Sequence, residues 1–414
     1  MKKSTIRKYT DYFLLFFLVA TTGIPLFYND IEFVLIGFAI SFTVFFKRGL
    51  GYNYKLVFII LSFFIIEIMQ TLYFNSFELF TFMGTFIRLG FAYYVAVILS
   101  NNFFDYYFNL IYFFCVVSLV FFIPSIVSPG IAQFIVDNIA VLFKSPFSSA
   151  SQSIYETSPN IIIYTFEKSL FVSLRNSGPF WEPGAFSVFI ILALIYRLAY
   201  THKIFTFKIV LLIIVVLTTT STSGYIALFL LLVFHYFLNK KVKASKYAII
   251  MILIYAASLL YIQLEFLGKK AEEDILLADE TTTSRFGSAL VDLKDFYENP
   301  IIGYGRGANR YGGKEVMLFT VEQHRNNGLT QLLVSYGLVI FIIYFTIYYK
   351  NLLAYVKFYG FNKHFAAAGL FIIFILGFSQ GVFTRPFFYA LLFASVNKIK
   401  IIEKNYVGII QNNK

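Results

Sequence analysis

Apolar residues run in long blocks separated by short polar stretches, and the length of those blocks sets the architecture. A run of about 17–25 apolar residues is long enough for a helix to cross a bilayer. In chain order, such runs (some of them shorter) predict spanning helices over 12–28, 31–46, 55–74, 80–98, 107–128, 183–200, 208–222, 223–238, 247–264, 328–349, 365–383 and 386–402. The expected fold is an all-α polytopic membrane protein of twelve spans, a single integral membrane domain over 1–414. Two large loops interrupt it, 129–182 and 265–327. In the second, Phe286, Leu290, Leu293 and Phe296 recur at helical spacing between the hydroxyl run Thr281–Ser284 and the stop signal Asn299-Pro300. That pattern predicts an amphipathic helix over 284–298 lying on or just above the membrane, with Arg285 in its first turn.

Composition agrees with a membrane solvent. The chain is 59% hydrophobic and 14% charged, with a mean hydropathy of +0.73, where soluble domains carry about 25% charged residues. A net charge of +12 would suggest a nucleic-acid partner in a soluble protein, but topology explains it better. The segments expected inside (1–11, 47–55, 99–106, 197–208, 239–246, 350–364 and 398–414) hold 21 of the 34 Lys and Arg residues and only three acids. Loop 265–327 holds eleven acids against eight basic residues. Short cytoplasmic loops are rich in Lys and Arg, so both termini are expected inside and both large loops outside. Lys2, Lys3, Arg7 and Lys8 resemble a signal-peptide n-region, but no small-residue cleavage site follows. The single Cys115 leaves no role for disulfides.

Candidate chemistry is concentrated in a few places. Glu67 and Arg88 fall inside predicted spans, where a charge is expensive and needs a partner or a wet cavity. They can pair with each other, or Arg88 can reach an anionic ligand. The first loop ends in Arg175-Asn176-Ser177-Gly178-Pro179-Phe180-Trp181-Glu182-Pro183-Gly184. Pro183 suits the first turn of the next helix, and Glu182 would cap its N-terminus. The run Thr218–Ser223 mostly offers backbone caps. Gly303-Tyr304-Gly305-Arg306-Gly307 lets backbone approach a ligand, but without a preceding strand it fails as a dinucleotide fingerprint and reads as a flexible turn. His324 is the one histidine of four on the expected outer side, where a neutral imidazole beside Arg325 suits a general base. Neither loop has a His/Asp cluster with metal-ligand spacing, so neither a metal nor another cofactor is expected.

Taken together, Arg285 before an amphipathic segment, Asn299-Pro300-Ile301-Ile302-Gly303-Tyr304-Gly305, and His324-Arg325-Asn326-Asn327-Gly328-Leu329-Thr330 with Gly337 resemble the O-antigen ligase and polymerase superfamily. The turn at Thr220–Gly224 and the cluster at Arg175–Gly184 fit the same family. The resemblance covers roughly 170–340 and implies glycosyl transfer outside the bacterial cytoplasmic membrane, from a glycan on undecaprenyl diphosphate. The ligase pattern is similar to a His-Asn pair followed after nine residues by Gly. Counting back from Gly337 puts Asn326-Asn327 at that pair, with His324 two residues early. This departure favours the polymerase (Wzy type) over a ligase, and a lipid-linked oligosaccharide flippase is the competing transporter class. The resemblance implies Arg175, Arg285 and Arg306 as holders of the diphosphate, with Arg88 and Arg385 as further candidates and Asn326 and Asn327 as substrate contacts. His324 is the candidate base and Glu182 the reserve. The implied partners are the undecaprenyl-diphosphate-linked oligosaccharide and membrane lipids, with a chain-length regulator and a flippase of the same pathway as candidates.

Overall fold

A computed structural model describes residues 3–28, 30–144, 158–166, 175–239, 285–306 and 327–394. Among them the chain is all-helical, with one isolated bridge between Asn160 and Thr165 and no strand. The helices are α1 (Lys3–Gly23), α2 (Pro25–Tyr28), α3 (Ile31–Lys47), α4 (Tyr54–Phe74), α5 (Leu79–Leu99), α6 (Phe103–Val127) and α7 (Pro129–Asn138), then α8 (Pro183–Thr201), α9 (Phe207–Thr218) and α10 (Thr222–Leu238). After the second large loop begins come α11 (Arg285–Glu298), α12 (Gly328–Phe358), α13 (His364–Ser379) and α14 (Pro386–Phe393).

Helices stand at each predicted span except 247–264, which lies outside the described residues, as do residues 395–402 of the last. Length, however, divides them. Among the described residues, four helical stretches are long and apolar enough to cross a membrane: Tyr54–Phe74, Leu79–Val127 (which contains α5 and α6), Pro183–Thr201 and Gly328–Phe358. That is fewer than the twelve expected. The runs at α9, α10 and α13 are apolar but shorter.

Helix α8 is the hub. Sixteen of its nineteen residues are buried, and α6, α9, α10, α12 and α13 pack around it. Proline at its first position needs no N–H partner there, which lets the helix start inside the protein. Helix α4 is built the opposite way round from a soluble helix. It exposes Val57, Phe58, Leu61 and Ile65 and buries Glu67 and Gln70, so its polar groups face protein and its apolar groups face the surroundings. Helix α11 does the same. Its apolar period is present, but Gly287, Ser288, Ala289, Asp292 and Asp295 are its buried residues, while Phe286, Leu290 and Tyr297 are exposed. The Thr330 hydroxyl of α12 donates to Asp292 at 2.5 Å.

The glycine-rich segment is the main departure from expectation. Helix α12 breaks at Gly337 (φ 72°, ψ 179°), and the segment after α11 is spliced into the gap. In an unbroken helix Leu338 N–H would donate to the Val334 carbonyl and the next N–H to Ser335. Instead Leu338 N–H donates to the Pro300 carbonyl (2.8 Å), while the Val334 and Ser335 carbonyls accept from Tyr304 N–H and Gly305 N–H (2.8 Å each). The Gln70 side chain of α4 closes the junction, donating to the carbonyls of Ile302 (2.6 Å) and Ser335 (2.9 Å). The broken helix therefore leaves no orphaned carbonyl at this point, as a non-aqueous surrounding requires. Two glycines make the approach possible. A Cβ on Gly303 (φ +67°) would lie 2.5 Å from the Val334 carbonyl oxygen, and one on Gly337 would strike the Ile301 carbonyl. The Gly303–Gly307 run is thus, as far as it is described, a fixed backbone junction rather than a flexible turn.

Candidate active site

The junction ends at Arg306 and so decides where that side chain goes. Tyr304 anchors it: its ring stacks on Phe74 (5.4 Å between centroids) and its phenol donates to the Glu298 carboxylate. Burial, together with that carboxylate neighbour, pushes the phenol up to about 12, so it stays a donor. Beyond it, Arg306 Nε and Nη1 are buried without a hydrogen-bond partner among the described residues.

Two other arginines converge on the same place. The charged groups acting on Arg88, from the middle of α5, are Arg306 and Arg385, so the pairing with Glu67 weighed from sequence is not what surrounds it. Arg385 precedes Pro386 of α14 and is also within electrostatic reach of Arg306. Its guanidinium lies 3.9 Å above the Tyr28 ring and donates to the Tyr28 carbonyl at 3.2 Å. Tyr28 in turn stacks on Trp181 (4.9 Å, 25°), which fixes the fork in orientation. Tyr336 and Tyr389 are within electrostatic reach of Arg88 as well. Three half-buried guanidiniums within electrostatic reach of one another repel and lack full hydration, which a multiply charged anion relieves through bidentate contacts.

Glu182 stands beside this pocket. It occupies the N-cap position of α8 but makes no side-chain cap hydrogen bond. The capping role expected from sequence is not realised, because two other groups claim the carboxylate. Gln380 donates to Oε1, and Arg285 Nη2 approaches the same oxygen to 3.9 Å. Gln380 and Arg385 belong to one short connection between α13 and α14, so a single loop serves both the carboxylate and the arginine group. The Tyr344 hydroxyl braces that loop by donating to the Phe383 carbonyl (3.1 Å).

Arg175 is placed elsewhere. Its Nε donates to Thr220 Oγ1 at 2.8 Å, holding a threonine at φ 46°, a backbone region costly for a β-branched residue. The rest of the hydroxyl run behaves as expected of caps: Thr218 and Thr219 donate back to Val215 and Val216 (2.7 Å each), and Ser221 accepts from Gly224 N–H (3.3 Å). Ser187, bonded to both Ser221 (3.4 Å) and the Gly184 carbonyl (2.7 Å), connects this turn to the start of α8.

Asn327 serves α12 with one side of its amide, while its Nδ2 is buried without a hydrogen-bond partner among the described residues. Its Oδ1 caps α12, accepting from Leu329 N–H (3.1 Å) and Thr330 N–H (3.2 Å). His324 and Asn326 lie outside the described residues. Among the described residues no group of three or more His, Cys, Asp or Glu side chains gathers at one point. Gln380, Gln70, Tyr28 and Tyr389 went unnoticed in the sequence; nothing local distinguishes a Gln or Tyr that supports a site from one in an ordinary wall.

Residues 207–345 match the family model described as O-Antigen ligase. No curated protein and no solved structure matches the chain. The matched stretch takes in α9, α10, α11, the spliced junction with Arg306, and the break in α12. The match covers about a third of the chain, and over that stretch the chain is similar to the O-antigen ligase family.

Proposed function

We propose that this protein is a polysaccharide polymerase. It joins oligosaccharide repeat units carried on undecaprenyl diphosphate, at the outer face of the bacterial cytoplasmic membrane, with both termini inside. The observation that carries the proposal is the convergence of Arg88, Arg306 and Arg385, with Arg306 Nε and Nη1 buried and unpartnered among the described residues. A diphosphate leaving group supplies the charge such a pocket lacks, and the pocket stabilises it most as the glycosidic bond breaks. In the reaction, the bond from the donor sugar C1 to the phosphate oxygen breaks and a bond from C1 to an acceptor hydroxyl oxygen forms. The acceptor's proton passes to a base, and undecaprenyl diphosphate leaves with the electron pair.

His324 is the base in this reading, with Glu182 orienting Arg285. General-base removal costs about 10²–10⁴ in rate. His324→Ala is therefore expected to lose at least about a hundredfold in polymerisation rate, and Glu182→Gln about tenfold, in an assay of purified protein with lipid-linked repeat units. The reverse ranking would transfer the proton-accepting role to Glu182.

The ligase reading has one specific support, the description of the matched family model. Against it, counting back from Gly337 puts Asn326 where the histidine of a His-Asn pair would stand, with His324 two residues early. A gel of surface polysaccharide from a strain lacking this gene separates the readings. Core carrying one repeat unit with the ladder gone is the expected result. Bare core with polymer accumulating on the carrier would establish a ligase. Single carrier-linked units held on the cytoplasmic face would establish a flippase, and an unchanged ladder would remove all three.

A further inference from the structure

The tyrosines buried most completely among the described residues are Tyr93, Tyr107, Tyr336, Tyr344 and Tyr389. Four of them use their hydroxyls. Tyr93 accepts from Asn53 N–H (2.7 Å), Tyr107 donates to the Phe189 carbonyl (2.8 Å), Tyr336 meets Thr85 (3.4 Å), and Tyr344 donates to Phe383 (3.1 Å). Tyr389 is the exception. Its hydroxyl is buried beside that of Tyr336 but makes no hydrogen bond of normal geometry among the described residues, a state that native interiors rarely tolerate without a functional reason.

Its position supplies the reason. Tyr389 lies one helical turn after Arg385 in α14, with its N–H donating to the Arg385 carbonyl at 3.1 Å, and residues so spaced share a helix face. Arg306 and Arg88 are both within electrostatic reach of it. Its ring is held edge-on against Phe63 (5.9 Å, 89°) and tilted against Tyr344 (6.3 Å, 58°), so the hydroxyl is fixed rather than free to seek another partner. We infer that the Tyr389 hydroxyl is a ligand-binding group that donates a hydrogen bond to a phosphate oxygen of the diphosphate held by Arg88, Arg306 and Arg385. This rests on the reading of that pocket as a diphosphate site and adds to it a neutral donor that no charge pattern reveals. An arginine cluster alone attracts any anion, whereas a phenol fixed beside it selects an oxygen at one place.

The substitution Tyr389→Phe isolates the hydroxyl. In a purely structural role the change is neutral or stabilising, since it removes a buried polar group that makes no hydrogen bond of normal geometry. In the binding role it removes a hydrogen bond to a charged acceptor, worth roughly ten- to a hundredfold in affinity. The experiment titrates undecaprenyl diphosphate into the full-length protein in lipid nanodiscs and records the melting temperature of each variant. The expected result is weaker binding by Tyr389→Phe, at least about tenfold, with a melting temperature equal to or above that of the parent. Unchanged affinity would overturn the inference, as would a lowered melting temperature, which would make the hydroxyl a structural group. Arg306→Ala in the same titration separates the two levels. If it binds as tightly as the parent, the diphosphate reading of the pocket fails. If it binds weakly while Tyr389→Phe does not, only the assignment of Tyr389 fails.

Discussion

Arg306→Ala abolishes polymer while leaving the protein folded, and Arg306→Lys does not restore it. Both halves of this expectation follow from the surroundings. Arg306 Nε and Nη1 donate to nothing among the described residues, and the neighbouring charges are those of Arg88 and Arg385. Removing a guanidinium from among like charges relieves repulsion rather than breaking a contact, so membrane levels and melting temperature should match or exceed those of the parent. Catalysis suffers because a preorganised donor aimed at a charged leaving group is worth about 10²–10³ in rate. Lysine keeps the charge but not the planar fork that grips two phosphate oxygens at once. The checks are a surface-polysaccharide gel and quantitation of the protein in membranes. A normal ladder from Arg306→Ala would remove the arginine pocket from the mechanism. Loss of the protein itself would make Arg306 a folding residue.

Gly337→Ala has the largest expected effect on the fold. The residue sits at φ 72°, ψ 179°, a region open to glycine and strongly disfavoured for any residue with a Cβ. The added methyl would also strike the Ile301 carbonyl, the backbone that fills the helix break. If the junction opens to relieve this contact, the Val334 and Ser335 carbonyls lose their partners, each at about 1–3 kcal/mol. The combined penalty is on the order of the whole stability of a typical domain, so little folded protein should reach the membrane. Gly360→Ala provides the comparison. Gly360 has φ +70°, but nothing lies within 4 Å of where its Cβ would be, so it should cost about 1–2 kcal/mol and leave the protein present. Equal levels of the two variants, measured by immunoblot of membranes, would show that the junction does not hold α12 together.

Local pattern carried the helices and failed at contacts made across the chain. The position of α8 was readable because Glu182-Pro183-Gly184 marks a start and a long apolar run follows. The break in α12 was not. A glycine inside Leu332–Ile343 resembles many tolerated helix glycines, which cost about 1 kcal/mol each, and its partner segment lies about thirty residues earlier. The same glycine-rich segment looked like a turn because its hydrogen bonds go to another helix rather than to itself. Arg88 was conspicuous as a charge in an apolar run, yet its meeting with Arg306 and Arg385 joins three segments spread over most of the chain. Glu182 was conspicuous too, but its expected cap gave way to Gln380 and Arg285, which are distant in sequence. For α11 the period was right while the packed face was the polar one, because in a membrane protein apolar side chains can face outward at no penalty.

The spliced junction also acts at a distance. Tyr304 and Gly305, just before Arg306, are tied by their N–H groups to α12, and Asn327 caps that same helix. The place of Arg306 against Arg88 and Arg385 is therefore set by the junction itself, so a change at Gly303 or Gly337 reaches a guanidinium that neither residue touches.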